Sequence, residues 1–286
     1  MLFGAMNVGI KLAEAGGAAL GEILFWRQFG AALLVGAIVL AGPGVASLRT
    51  RRVGAHVART LIGLTAMALT FLTLTLLPLA EATTIGFSMP IFATILGALV
   101  LHEPTGWRRW MAVLVGFVGV VIVAQPGVGA NGIPLGGALS GITAAAATAT
   151  VSILLRTIGK TERPLTTVFW FSALSTLPLG VVYLFTAQSH PTYVWLILIA
   201  IGFVGGAAQI AMTGALTLGP VSTVVPMDYT ALLWATLFGW LVFDTLPKSA
   251  TWVGAPIIVA SGLYIVWREH VRRQTETLQA ATQGVS

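Results

Sequence analysis

The chain has 286 residues, of which 57% are hydrophobic and 8% are charged, and it contains no cysteine. A soluble domain carries about 25% charged residues, so this composition excludes an ordinary soluble fold and predicts an integral membrane protein. The net charge of +6 is expected from basic cytoplasmic loops and does not indicate nucleic-acid binding. Without cysteine, the chain has no disulfides and no thiolate chemistry.

Long continuous apolar stretches predict membrane-spanning helices of about 20 residues. Ten spans are predicted, in chain order, at 1–13, 19–41, 57–77, 82–101, 108–124, 135–155, 165–186, 192–213, 220–243 and 250–267. Clusters such as Gly42-Pro43-Gly44 separate them. The residues after Trp267 are polar and are expected to fray. The stretch from Met1 to Ile10 lacks a basic leader and a small-residue cleavage site, so no cleavable signal peptide is expected.

The distribution of basic residues predicts the orientation. With the N-terminus inside, the inside segments hold twelve of the fifteen Lys and Arg residues, namely Arg49, Arg51, Arg52, Arg59, Arg108, Arg109, Arg156, Lys160, Arg163, Arg268, Arg272 and Arg273. Lys11 and Lys248 fall outside, and Arg27 falls within a helix. Because basic residues favour cytoplasmic loops, both termini are predicted to be cytoplasmic, in a bacterial inner membrane.

The second half of the chain repeats the first at an offset of 142 positions. Coincidences in this one ungapped register include Gly63 with Gly205, Pro78 with Pro220, and Trp110 with Trp252. Each half holds five predicted helices, and an odd number inserts the second half upside down. The sequence therefore predicts an all-α membrane protein of two inverted five-helix repeats around a central cavity, over 1–124 and 135–267, followed by a polar cytoplasmic tail over 268–286.

Several short segments appear in a familiar order. They are Glu22-Ile-Leu-Phe-Trp-Arg27, Leu76-Leu-Pro-Leu-Ala-Glu-Ala82, His102-Glu103-Pro104-Thr105, Gly116-Phe-Val-Gly-Val120 and Leu218-Gly219-Pro220. With them, the doubled ten-helix pattern resembles the EamA-domain branch of the drug/metabolite transporter superfamily over essentially the whole chain. The resemblance implies a cavity lined by helices 1, 3, 4, 6, 8 and 9, and export of amino acids or related metabolites. Asp244-Thr245 departs from the Gly-Glu pair that is common in the family.

Charged side chains inside a bilayer are costly and are functional candidates by default. Asp228 is predicted near the middle of helix 9, two residues after Pro226, where it could bind a substrate ammonium group or carry a proton. The alternative is that its carboxylate only forms a hydrogen bond to a neighbouring helix. Glu22 and Arg27 both lie in helix 2. For these two residues a structural ion pair or snorkelling competes with substrate contact.

The repeat register also aligns polar and aromatic positions on helices 3, 4, 8 and 9. The predicted cavity lining consists of Asn7, Met67, Thr84, Phe87, Ser88, Gln209, Asp228, Tyr229 and Thr230. Phe87 and Tyr229 are expected to face each other across the pseudo-two-fold axis. The alternative is ordinary helix packing, in which Ser and Thr bond to their own helix.

Four functions are considered. The leading hypothesis is a monomeric exporter of amino acids that works by alternating access, with a small-molecule substrate and the lipid bilayer as its partners. The second is an exchanger of nucleotide-sugars or sugar phosphates, which would want several cavity cations, whereas Arg27 is the only one expected in mid-span. A membrane-embedded enzyme would need clustered catalytic groups, and a scaffold would leave the polar cavity unexplained. No cofactor or metal is expected, since the four histidines lack metal-ligand spacing.

Overall fold

The computed structural model describes residues 1–99, 106–125, 133–218 and 230–283, which form eleven α-helices and no β-strand. The helices are α1 (Leu2–Ala15), α2 (Leu20–Ala41), α3 (Val53–Leu76), α4 (Leu79–Gly86), α5 (Met89–Leu99), α6 (Trp107–Ala124), α7 (Leu135–Gly159), α8 (Pro164–Thr186), α9 (Thr192–Leu218), α10 (Thr230–Phe243) and α11 (Ser249–Gln283). A short 3-10 turn at Val45–Leu48 joins α2 to α3.

The described helices have the length and composition of membrane spans. Seven segments are long and apolar enough to cross a bilayer, and α4 with α5 counts as one of them over Leu79–Leu99. Two shorter apolar helices, Trp110–Ala124 and Thr230–Phe243, fall among them. Counted with α1, the described residues form ten consecutive helical segments, as the sequence predicts. The chain is therefore an all-α, multi-pass membrane protein.

Its outer surface is apolar, as lipid contact requires. Leu40, Leu184 and Phe185 are among the most exposed side chains, which would be unfavourable in water. Inside, fully buried aliphatic side chains from several helices form one central core that includes Ile10, Ile23, Leu74, Ile85, Leu198 and Ile258.

Small residues let some helices approach backbone to backbone. A Cβ atom placed at Gly30 of α2 would lie 2.6 Å from the Cα of Gly202 in α9. Likewise, a Cβ at Gly254 of α11 would lie 2.7 Å from the carbonyl oxygen of Gly119 in α6. Close packing through small residues is typical of membrane helices, and it fixes two of the principal helix pairs of the fold, α2 with α9 and α6 with α11.

The fourth predicted span is not one helix. It is interrupted between α4 and α5 at Phe87 and Ser88. Pro90 explains the break, because it has no N–H and its ring clashes with the carbonyl four residues earlier in a regular helix. The Ser88 N–H donates instead to the Ile85 carbonyl, which tightens the end of α4.

The polar tail was expected to fray after Trp267, but the structure shows that it does not. α11 continues without interruption to Gln283. The residues after Trp267 are mostly good helix formers such as Arg, Glu, Gln, Leu and Ala, and no Pro or Gly occurs before Gly284. Polarity ends the membrane span here, and it does not end the helix.

Candidate functional site

Two arginine side chains are buried where α2 and α3 meet α8. Arg27 of α2 is 3% exposed and Arg59 of α3 is 4% exposed. The Arg59 Cζ lies 4.1 Å from the centre of the Phe171 ring, and the Arg27 Cζ lies 5.9 Å from it. Both distances are within cation–π range. Two positive charges thus share one aromatic ring of α8 and are close enough to repel each other.

Glycines make room for both guanidinium groups. A Cβ atom at Gly63, one turn after Arg59, would overlap the Arg59 Nη1. A Cβ atom at Gly205 of α9 would lie 3.3 Å from the Arg27 Nε. Gly63 and Gly205 coincide in the 142-residue register of the sequence. The absence of a side chain at each position is what allows a buried arginine to lie against the neighbouring backbone.

Arg27 is partly satisfied by amide oxygens. It donates hydrogen bonds to Gln28 Oε1 and, at 3.0 Å, to Gln209 Oε1. Its Nε and the Gln28 Nε2 are buried without a hydrogen-bond partner among the described residues. The structure therefore brings together Arg27 and Gln209, which the sequence places in separate halves of the chain.

Arg59 is less satisfied. Its Nε and Nη1 are buried without a hydrogen-bond partner in the described part of the chain, as are the hydroxyl groups of Thr60, Ser172 and Ser175. The ion pair found among the described residues joins Glu22 to His190, and neither arginine takes part in one. We call Arg27, Gln28, Arg59, Thr60, Phe171, Ser172, Ser175 and Gln209 the arginine cluster. It is rich in donors and contains no carboxylate.

The sequence prediction missed Arg59. It placed the start of helix 3 at residue 57, so that Arg59 counted with the cytoplasmic loop. The helix in fact begins at Val53, which puts Arg59 in its second turn, and the side chain is buried. Arg27 is the only cation predicted in mid-span, and the structure adds Arg59 as a second buried cation near the start of α3. A helix boundary four residues earlier would have revealed the second one.

Glu22 does not pair with Arg27. Its fully buried carboxylate lies in the first turn of α2, where it accepts hydrogen bonds from the N–H groups of Ala19 at 2.8 Å and Gln188 at 2.9 Å. The same carboxylate lies 3.0 Å from His190 Nε2. Glu22 therefore attaches the loop between α8 and α9 to the start of α2, and the ion pair with Arg27, one of the alternatives considered for helix 2, does not form.

Glu81 plays the same part at the start of α4. Its fully buried carboxylate accepts hydrogen bonds from the Lys248 N–H at 2.8 Å and from the Thr251 hydroxyl at 3.2 Å. The loop between α10 and α11 is thereby attached to α4. Sequence reasoning did not single out Glu81, although an acidic residue in the first turn of an apolar helix is the available signal.

The predicted cavity residues of helices 3 and 4 lie in the protein interior. Met67 and Phe87 pack with the central core. Thr84 and Ser88 are fully buried, and their hydroxyl groups donate to the carbonyls of Ala80 and Ile85 in α4, each at 2.7 Å. The hydroxyls of Thr84 and Ser88 are thus engaged locally.

The other predicted residues are more dispersed. Asn7 is partly buried on α1, and Thr230 is exposed at the start of α10. Asp228 and Tyr229 lie outside the described residues. The described residues contain no group of three or more His, Asp or Glu side chains that could hold a metal ion.

In the described part of the chain, ten consecutive helical segments, one of them interrupted, together with buried charges define a polytopic α-helical membrane protein. The chain belongs to the EamA-like transporter family, which matches residues 1–125 and 135–267, and hence to the drug/metabolite transporter superfamily.

Several characterised proteins are similar to this chain. A riboflavin transporter of Vibrio cholerae is 32% identical over 80% of this chain and 77% of that protein. An S-adenosylmethionine uptake transporter of Rickettsia prowazekii is 27% identical over 87% and 83%. A solved crystal structure with 22% identity covers 96% of both chains at a TM-score of 0.63, which supports the fold alone.

These findings make the chain a membrane transporter of small metabolites, in a family of transporters and not of enzymes. The relatives do not support the amino-acid export that the resemblance implied. These relatives are transporters of riboflavin and of S-adenosylmethionine, and the second is an uptake transporter.

Proposed function

We propose that the chain imports a small heteroaromatic metabolite, of the riboflavin or S-adenosylmethionine kind, across a bacterial inner membrane. The observation that carries this proposal is the similarity to transporters of these two solutes over at least three quarters of both chains. Both solutes join a flat heteroaromatic ring to a flexible polar chain. Such a molecule suits a cavity that combines aromatic side chains with hydrogen-bonding groups.

Transport is proposed to proceed by alternating access between inverted halves over 1–124 and 135–267. Helix packing supports this arrangement. In it, each helix of the first half corresponds to one of the second half, and for the contacts that follow, replacing both helices by their counterparts gives another observed contact. α3 packs on α7 as α1 packs on α9, and α2 packs on α9 as α3 packs on α8. α4 and α5 pack on α7 as α10 packs on α1.

The proposed solute cavity lies at the break between α4 and α5. Irregular backbone at membrane depth is tolerated where it is buried in protein or lines a cavity, and transporters commonly build their sites from interrupted helices. The proposed lining is the set predicted from the sequence, Asn7, Met67, Thr84, Phe87, Ser88, Gln209, Asp228, Tyr229 and Thr230.

Uptake into proteoliposomes tests the proposed function. Vesicles containing the protein should accumulate labelled riboflavin or S-adenosylmethionine above protein-free vesicles. A tenfold excess of either unlabelled solute should compete, and an amino-acid mixture should not. Absence of uptake of both solutes, with competition by amino acids in a counterflow assay, would refute the proposal.

Asp228 is proposed as the proton carrier of this transport, since the sequence predicts it within a span, where a carboxylate is costly unless it is used or paired. Asp228→Asn keeps the shape and removes the titratable group. The variant should lose the uptake driven by an imposed pH gradient and keep solute exchange. Gradient-driven uptake equal to that of the wild type would exclude the proton role.

A further inference from the structure

The arginine cluster presents hydrogen-bond donors without matching acceptors. Arg59 Nε and Nη1, Arg27 Nε and the Gln28 Nε2 are all buried and unpartnered within the described residues. A buried charge without a counter-charge is strongly unfavourable, and two such charges side by side are more so. A structure that keeps both arginines inside is suited to a ligand that supplies the negative charge.

The hydroxyl groups on α8 extend the same cluster. Ser175 lies four residues after Phe171 and therefore shares its helix face. Ser172 lies three residues before Ser175. Both serines are fully buried, and their hydroxyl groups have no partner in the described part of the chain. α8 packs on both α2 and α3, which carry the arginines, and hydroxyl and guanidinium groups are donors that carboxylate and phosphate oxygens accept.

Phe171 and Gly63 hold the guanidinium of Arg59 in a defined place. The ring of Phe171 lies 4.1 Å from the Arg59 Cζ, and the backbone at Gly63 leaves room for Nη1. Arg27 is held by its hydrogen bonds to Gln28 and Gln209. Because these groups are positioned within the protein, little ordering would accompany the arrival of an anion, which favours binding.

We propose that Arg59 and Arg27, with the hydroxyl groups of Ser172 and Ser175, form a subsite that binds the oxyanion group of a transported solute, a carboxylate or a phosphate ester. This inference rests on the proposed function, because it assigns the polar end of the solute to the arginine cluster. It also favours anionic solutes, because the argument against them counted Arg27 alone and Arg59 is a second buried cation.

Matched solutes test the subsite. Riboflavin 5′-phosphate differs from riboflavin by a phosphate ester, and S-adenosylmethionine differs from its decarboxylated form by a carboxylate. In competition against labelled solute in proteoliposomes, the oxyanion-bearing member of at least one pair should bind about tenfold or more tightly, as charge-assisted hydrogen bonds allow. The pair that shows this ratio identifies the group as phosphate or carboxylate.

Variants of Arg59 separate binding from folding. Arg59→Gln should reduce the ratio within the pair to about one, and Arg59→Lys should keep part of it, because it retains charge without the planar fork. Arg51→Gln removes an exposed arginine and should leave the ratio unchanged. A purely structural role would lower the amount of folded protein and leave the ratio as in the wild type.

Inorganic phosphate gives a readout that does not need transport. At matched ionic strength, phosphate should raise the thermal unfolding midpoint of the purified full-length wild type above that in chloride, and it should not do so for Arg59→Gln. If no solute of either pair is carried, the proposed function fails and this titration decides the subsite alone. Equal binding within both pairs without stabilisation by phosphate, or an unchanged ratio in Arg59→Gln, would overturn the inference.

Discussion

Gly63 leaves the space in which the guanidinium of Arg59 lies, and the structure predicts the effect of placing a side chain there. Alanine normally stabilises a helix relative to glycine by about 0.5–1 kcal/mol. At Gly63, however, the new methyl group would overlap Arg59 Nη1 and approach the Phe171 ring. Gly63→Ala should therefore lower the thermal unfolding midpoint and reduce uptake, although it changes no charge.

Gly36 of α2 provides the matched control, because a Cβ atom there would meet no atom within 4 Å. Gly36→Ala should be neutral or slightly stabilising and should transport like the wild type. If both alanine variants unfolded at the same temperature and carried solute equally, the packing of Arg59 against Gly63 would have no energetic weight.

Glu22 is a second residue whose contribution to stability can be measured. Its carboxylate accepts hydrogen bonds from two backbone N–H groups and contacts His190. Glu22→Gln loses the charge that strengthens these bonds, and we expect a loss of about 1–3 kcal/mol in the free energy of unfolding. The exposed Glu14 is the control, and Glu14→Gln should change stability little. Denaturant unfolding in detergent measures both, and equal effects would contradict the assignment.

The sequence predicted the burial of a single side chain only where the residue lies well inside a predicted span. Arg27 lies deep inside a predicted span, so its burial followed from hydropathy. The burial of Arg59 depended on where helix 3 begins, and its position against Phe171 depends on how α3 packs on α8. Such contacts join residues more than 100 positions apart, and no periodicity within one helix encodes them.

The break between α4 and α5 is the element whose effect can be tested most directly. Pro90 prevents a continuous helix, so Pro90→Ala should allow α4 and α5 to join through Phe87 and Ser88. We expect the variant to fold and to lose most of its uptake, because the irregular backbone disappears. Pro178 lies inside the uninterrupted helix α8, and Pro178→Ala should transport normally. Normal uptake by Pro90→Ala would show that the break is dispensable.

Hydropathy predicted the helices better than their interruptions. A window of about 19 residues averages over a two-residue break, so the fourth span was predicted as one helix although Pro90 was visible in it. The tail shows the opposite case. Hydropathy ends the span near Trp267, yet helix propensity continues to Gln283, and only the second property decides whether the backbone stays helical.

At the scale of the whole molecule, two sets of loop contacts mark its two ends. At one end, Thr50 lies 2.7 Å from Glu162, and Arg52 donates to the Thr157 carbonyl at 3.0 Å. At the other end, Glu22 binds the loop that contains Gln188. The excess of Arg and Lys near the first set predicts that this end is cytoplasmic.

Thiol labelling tests this orientation in a chain that has no cysteine of its own. In intact cells, a membrane-impermeant maleimide should label Ser189→Cys in the loop between α8 and α9. It should not reach Arg51→Cys until the membrane is opened. The reverse pattern would show that the protein is inserted the other way around.

The sequence predicted the number of helical segments, because this number follows from hydropathy. The doubled pattern stays a prediction, drawn from a register that needs no geometry. The sequence did not predict which solute is carried. The choice of solute depends on how side chains from different helices meet, and many such arrangements share one hydropathy pattern. The donor-rich cluster around Arg59 is an example, since none of its members is unusual when considered alone.

The length of α11 has a practical consequence for imaging. At 1.5 Å per residue, its 35 residues extend about 50 Å, whereas the hydrocarbon core of a bilayer is about 30 Å thick. The helix thus continues about 20 Å beyond the lipid, while its apolar part packs along α6. A helical fusion partner joined in register at Gln283 would share one continuous axis with the transporter. It would add rigid mass outside the micelle, which a small protein needs for particle alignment in electron cryomicroscopy.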